Sequence, residues 1–149
     1  MLSRDSMPDL PRESQRTVSL EDLDAYAAAL WRQLSPGSVV WLTGELGAGK
    51  TAFVQAVARA AGAEPARSPT FALVHEYPAE EGLLVHVDCY RLRSPEEAID
   101  IDFPELVRQA RLILVEWPER AGPLVPAADA HFAFAHTEVA SQRIISRVC

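Results

Sequence analysis

The sequence predicts an α/β fold, a mixed sheet flanked by helices with antiparallel hairpins. Three observations carry that expectation. A short apolar run, Val39 to Thr43, leads into a glycine-rich segment and then into apolar positions at helical spacing. Two more apolar runs, Leu83 to Asp88 and Leu112 to Glu116, have the length of buried strands, and each ends on a carboxylate. Turn residues elsewhere separate short alternating segments that read as hairpins.

Taken in chain order, Ser19-Leu20-Glu21-Asp22 resembles a capping box that opens a helix running to about Leu34, with Leu23, Ala27, Leu30 and Trp31 inward. Ser35-Pro36-Gly37-Ser38 is a turn into the first buried strand. Beyond the glycine-rich segment, Phe53, Val54, Val57, Ala58 and Ala61 mark the inner face of a second helix, and Gly62 suits its C-cap. Phe71 to Tyr77 reads as a strand of mixed pattern, and Ala79-Glu80-Glu81-Gly82 closes a hairpin with Leu83 to Asp88. Short helices around Pro95 to Ile99 and Pro104 to Ala110 precede the buried strand Leu112 to Glu116. Pro118, Pro123 and Pro126 punctuate a loop, and His131 to Thr137 with Arg143 to Val148 forms a final hairpin.

With 149 residues and 48% hydrophobic composition, the chain suffices for one globular domain with a substantial core. Residues 1–16 are polar and proline-dotted without an apolar h-region, so they are expected to be a disordered N-terminal tail before a domain at 17–149. No apolar stretch approaches membrane-spanning length. Two cysteines, Cys89 and Cys149, make no disulfide framework, which points to a reducing cytoplasm, with Cys149 an exposed free thiol. The net charge of −7 argues against a protein that grips nucleic acid unaided, because phosphate contacts need a basic face. Glu96, Glu97, Asp100, Asp102 and Glu105 instead form an acidic stretch, either a solvated helix face or a docking surface for a basic partner.

Thirteen of the fourteen basic residues are arginine; the remaining one is Lys50, in Gly44-Glu45-Leu46-Gly47-Ala48-Gly49-Lys50-Thr51. The segment fits G-x-x-x-x-G-K-[ST], the Walker A or P-loop pattern. Its glycines let successive backbone N–H groups form an anion nest, and the following helix N-terminus adds partial positive charge. A compact ammonium on a flexible stem can bridge two phosphates, whereas a planar guanidinium needs a fork-shaped partner. Gly44, Gly47, Ala48, Gly49, Lys50, Thr51 and Ala52 are therefore candidates for binding nucleotide phosphate, in a P-loop NTPase-like sheet. The competing reading is a glycine-rich turn with an exposed lysine. Small GTPases read guanine with an Asn/Thr-Lys-x-Asp element, and no second lysine exists to supply one. ATP or ADP is favoured accordingly.

Such a loop works with Mg²⁺, held by the loop hydroxyl and an acid at a neighbouring strand tip. Thr51 is the hydroxyl, and Asp88 and Glu116 are both candidates for the acid, lining the metal and water side of the site. Thr70, in Ser68-Pro69-Thr70, is either a switch-like hydroxyl facing Mg²⁺ or the γ-phosphate, or part of a plain turn. His86 reads as a hydrogen-bonded core histidine rather than a catalytic one. Arg91, next to Tyr90, is a candidate for phosphate or for an ion pair with the acidic stretch.

Five motifs in order resemble one family: 44–51, Ser-Pro-Thr-Phe-x-Leu-Val-x-Glu-Tyr (68–77), His-x-Asp-x-Tyr-Arg-Leu (86–92), Pro-Glu-Glu (95–97) and Val-Glu-Trp-Pro-Glu-Arg (115–120). Together they are similar to TsaE (also YjeE), the bacterial ATPase of tRNA threonylcarbamoyladenosine (t6A) formation, from about Thr17 onward. The resemblance implies a P-loop ATPase that does not itself transfer the threonylcarbamoyl group. It implies action on the TsaB–TsaD complex, which is reset between turnovers by ATP binding and hydrolysis, with tRNA contacted only through those partners. It also implies that Lys50 and the loop amides bind phosphate and that Thr51 and Glu116 hold Mg²⁺. Asp88 would be the Walker-B-like acid and Thr70 the switch threonine, and Trp117 belongs to the motif without an assigned role.

Two departures stand out. Ala52 occupies the position of a usual second threonine, which implies weaker nucleotide binding, and the first helix has Asp22 and Tyr26 where the family has threonine and glycine. Ser19 at the start of that helix remains a candidate contact. The alternatives are a small-molecule P-loop kinase, which needs an arginine-bearing lid that is not evident here, and a nucleotide-dependent binding module without productive hydrolysis.

Overall fold

Alternation along the apolar runs decides the architecture, because it gives each central strand two buried faces. The computed structural model describes residues 15–19, 22–65 and 73–148. Within them, strands β1 (Gln15–Ser19), β2 (Ser38–Gly44), β3 (Val74–Ala79), β4 (Gly82–Asp88), β5 (Ala110–Glu116), β6 (Ala130–His136) and β7 (Gln142–Arg147) form one sheet. Its order is β1-β7-β6-β2-β5-β4-β3. The centre is parallel, β6 and β5 flanking β2 and β4 flanking β5, while β3, β7 and β1 add antiparallel edges.

Helices α1 (Leu23–Gln33) and α2 (Lys50–Ala61) cover one face. There Leu23, Ala27, Leu30, Phe53, Val54 and Val57 meet Val40, Leu42, Leu84, Leu112 and Leu114 in one buried cluster. The intervening strand residues Val39, Val85, Val87, Ile113 and Val115 point to the other face. They pack against α3 (Phe103–Gln109) and two 3-10 segments, Pro95–Ile101 and Pro118–Leu124, through Phe103, Leu106, Ile101 and Ala121. Each fully buried Leu, Val or Phe contributes about 1.5–3 kcal/mol, so the double-sided strands dominate stability. No helix among the described residues is long and apolar enough to cross a membrane.

The expected elements fall close to their sequence positions, and the differences have physical reasons. Ser19 and Asp22 exchange the expected reciprocal hydrogen bonds, the Ser19 hydroxyl accepting from the Asp22 N–H at 3.2 Å and the Asp22 carboxylate from the Ser19 N–H at 3.4 Å. The α-helix itself, however, starts only at Leu23, with Asp22 as an N-cap whose side chain makes no cap hydrogen bond. Gly62 caps α2 in the left-handed region, as its position suggested. The chain before α1 is a strand from Gln15, so two residues assigned to the tail belong to the sheet. Its backbone pairs with β7, a partner about 125 residues later that no local pattern announces. The segment after Pro118 is 3-10 rather than open loop, since proline at N1 pre-sets φ and costs no helical hydrogen bond there. β6 and β7 form the expected hairpin, and β6 also pairs in parallel with β2, which alternation alone does not reveal.

Candidate functional site

The site is built where β2, β5 and β4 end side by side. β2 stops at Gly44, the chain loops through 45–49, and α2 begins at Lys50. Gly44 has φ 131°, and a Cβ there would lie 2.2 Å from the Phe134 carbonyl oxygen of β6, so only glycine lets the loop leave the strand. Gly47 and Gly49 also take positive φ, and buried Ala48 anchors the loop against the core. The loop amides and the first turn of α2 thus share one concave edge, the arrangement that favours an anion.

Lys50 is buried, at 4% exposure, and donates from Nζ to the Gly44 carbonyl. Its Nζ also lies 4.1 Å from the centroid of the Trp117 ring. Burial lowers the lysine pKa even though Glu116, Asp88 and Glu119 pull the other way. The ammonium therefore sits partly stripped of water, among acids that do not fully compensate it.

Thr51 Oγ1 lies 3.5 Å from Glu116 Oε1, at the outer limit of a hydrogen bond. The other Glu116 oxygen, Oε2, is 2.9 Å from His86 Nε2, and both side chains are buried. Asp88 and Glu116 are register partners on parallel neighbours β4 and β5, so their side chains emerge on the same face. Asp88 is half-buried and accepts from the Tyr90 N–H at 3.0 Å. The chain then turns at Trp117, which takes the left-handed conformation (φ 55°) and places its ring beside Tyr90, centroids 5.1 Å apart. Arg120 braces this pair, donating to the Tyr90 carbonyl at 2.8 Å and lying over both rings.

These groups surround a cleft of about 290 Å³. Gly47, Gly49, Lys50, Thr51 and Ala52 line it on one side, and Asp88 and Glu116 on the other. Gly44, at the end of β2, and fully buried Ala48 are not among the residues that line the cleft. Ser19 is not among the lining residues; its hydroxyl accepts from the Asp22 N–H just ahead of α1. Thr70 lies outside the described residues. Arg91 is exposed beside a neighbouring depression with Leu73, Asp88 and Tyr90. His86 is the hydrogen-bonded core histidine that its strand position suggested, but its partner is an acid of the cleft.

Tyr90, Trp117 and Arg143 also line the cleft, which gives three more site residues than the sequence motifs assign. Trp117 had a signal, since it directly follows a strand-terminal acid. Arg143 had none: it comes from β7, packs its stem against Gly49, and donates from one Nη to the carbonyls of Ala140 and Gln142, both at 2.7 Å.

Comparison with known proteins agrees with this architecture. The family described as "Threonylcarbamoyl adenosine biosynthesis protein TsaE" matches residues 17–145. The tRNA threonylcarbamoyladenosine biosynthesis protein TsaE of Aquifex aeolicus is 40% identical over 108 residues, covering 70% of this chain and 76% of that protein. The protein of the same name from Treponema pallidum is 39% identical over 109 residues, covering 72% and 80%. That from Rickettsia conorii is 40% identical over 68% of this chain, and the match spans 58% of the longer relative. Among solved structures, Bacillus subtilus YdiB superposes with a TM-score of 0.69 at 26% identity, covering 90% of this chain and 84% of the other.

Proposed function

This chain belongs to the TsaE family of tRNA threonylcarbamoyladenosine biosynthesis proteins, and from that premise we propose that it is an ATP-binding, slowly hydrolysing P-loop protein acting on the TsaB–TsaD complex. The observation that carries the proposal is the convergence of Lys50 and Thr51 with Asp88 and Glu116 around one cleft at the ends of β2, β4 and β5. A cation, a hydroxyl and two carboxylates beside an amide-lined helix start suit a polyphosphate with a divalent metal.

The donor set fits Mg²⁺. Thr51 and Glu116 offer oxygens on facing elements, with Asp88 beside them. Among the described residues there is no group of three or more His, Cys, Asp or Glu that could hold a metal alone. Mg²⁺ does not need one, because it keeps several waters and takes one or two carboxylates plus phosphate oxygens. When bound, it neutralises phosphate charge and steadies the charge that develops during transfer.

The chain's own residues do the rest. The amides of the loop and of the first turn of α2 would hold phosphate oxygens, and Lys50, now donating to the Gly44 carbonyl, would neutralise phosphate charge. Glu116, buried and oriented toward Thr51, serves the metal. Asp88 is less buried and has one oxygen tied to the Tyr90 N–H, which leaves the other to orient water. Transfer to water, with a partner complex timing it, matches an acidic protein poorly suited to holding RNA itself. The test is a pull-down with purified TsaB–TsaD with and without ATP, alongside hydrolysis assays. ATP-dependent capture and faster hydrolysis with the complex are expected; equal hydrolysis with and without it, and no capture, would sink the proposal.

A further inference from the structure

We propose that His86 is a positioning residue that divides the Glu116 carboxylate, holding Oε2 so that Oε1 alone is offered to a divalent cation beside Thr51. The inference rests on the metal–nucleotide reading above and deepens it.

Strand geometry makes the contact. His86 precedes Asp88 by two residues on β4 and so shares its face, while its register partner on β5 is Leu114, two residues before Glu116. The imidazole therefore lies one step down the sheet from the carboxylate and reaches Oε2 at 2.9 Å. A carboxylate that ligates a cation is charged and only accepts, so in that role Glu116 requires the hydrogen on Nε2. His86 is 7% exposed and Glu116 3% exposed, which leaves little room for water to replace a missing partner. A buried carboxylate oxygen without a donor is costly and turns to find one.

The ring's own orientation is held from behind. His75 on β3 is the register partner of His86, and the two rings stack with centroids 5.6 Å apart and planes 24° from parallel. The opposite oxygen of Glu116 already faces Thr51 Oγ1 at 3.5 Å. One carboxylate thus serves two neighbours, a fixed donor below and the hydroxyl of the cleft above. Groups that hold a ligating side chain in this way typically change metal affinity by roughly 10–100-fold when removed.

The experiment measures binding of a non-hydrolysable ATP analogue, adenylyl imidodiphosphate, to the full chain by calorimetry, in EDTA and across a Mg²⁺ series. His86→Ala should raise the Mg²⁺ concentration for half-maximal tightening by about 10-fold or more. Its affinity in EDTA should stay within about twofold of wild type, since the loop and Lys50 are untouched. His86→Gln, whose amide N–H reaches near the Nε2 position, should restore most of the Mg²⁺ response, and His86→Asn, one atom shorter, should not. The Gln–Asn contrast carries the test if the alanine variant fails to fold. Equal Mg²⁺ responses in Gln and Asn variants, or equal losses in EDTA and Mg²⁺, would overturn the role and leave His86 as core packing. Wild-type binding that ignores Mg²⁺ would overturn the metal reading itself, and this inference with it.

Discussion

The Lys50 ammonium lies 4.1 Å from the centre of the Trp117 ring, which gives the tryptophan of the Val-Glu-Trp-Pro segment a contact that its sequence position alone does not show. A ring face attracts a cation electrostatically, by about 2 kcal/mol when both are desolvated. Trp117 adopts its left-handed backbone to reach that place, a conformation unfavourable for a bulky residue and one that packing against Tyr90 and Arg120 helps hold.

If phosphate draws Lys50 off this ring, tryptophan emission should report it. Adding ATP with Mg²⁺ should change the emission of the wild type, and Trp117→Phe should remove most of that change although Trp31 and Trp41 remain. An unaltered signal in the phenylalanine variant would place the reporter elsewhere.

Lys50 also predicts a pH dependence of stability. Burial depresses its pKa below the ordinary 10.5, so between the depressed value and 10.5 the unfolded chain binds more protons than the folded one. Stability of the wild type should therefore rise relative to Lys50→Met as pH climbs through that window, and the penalty for burying the charge should be complete below it. Parallel denaturation series for the two proteins, buffered from neutral to about pH 10, check the sign. Parallel curves across the window would refute it.

Gly44 and Gly62 should respond differently to alanine. A Cβ at Gly44 would collide with the backbone oxygen of Phe134, whereas nothing lies within 4 Å of one at Gly62. Gly62→Ala should cost about 1 kcal/mol for its left-handed backbone alone. Gly44→Ala adds a backbone clash to positive φ and should cost on the order of 3 kcal/mol or fail to fold. Urea midpoints at constant slope separate the two.

Cys89 should be inert in the folded protein. It is buried, and burial, with help from Asp88 and Glu119, pushes its thiol pKa up to about 12. At pH 8 roughly one molecule in ten thousand then carries the reactive thiolate at this position. In a Cys149→Ser background, iodoacetamide should label Cys89 only as fast as the protein opens, and labelling should become rapid in denaturant. Rapid native labelling would contradict the burial.

By itself, the sequence determined the features that are local. The Walker A spacing around Lys50, the apolar runs before Asp88 and Glu116, and the reciprocal pairing of Ser19 and Asp22 are legible because each rests on neighbours within a few residues. The order of five such segments was enough to point to the family. Tertiary structure decided what depends on partners far along the chain: the pairing of Gln15–Ser19 with β7, the parallel seat of β6 beside β2, and the arrival of Arg143 at the loop. It also turned His86 from a core histidine into the neighbour of Glu116, and Trp117 into the cover of Lys50. The physical reason is the same in each case. Hydrophobic period and turn chemistry specify which face a residue occupies, but strand register and order specify whom it meets.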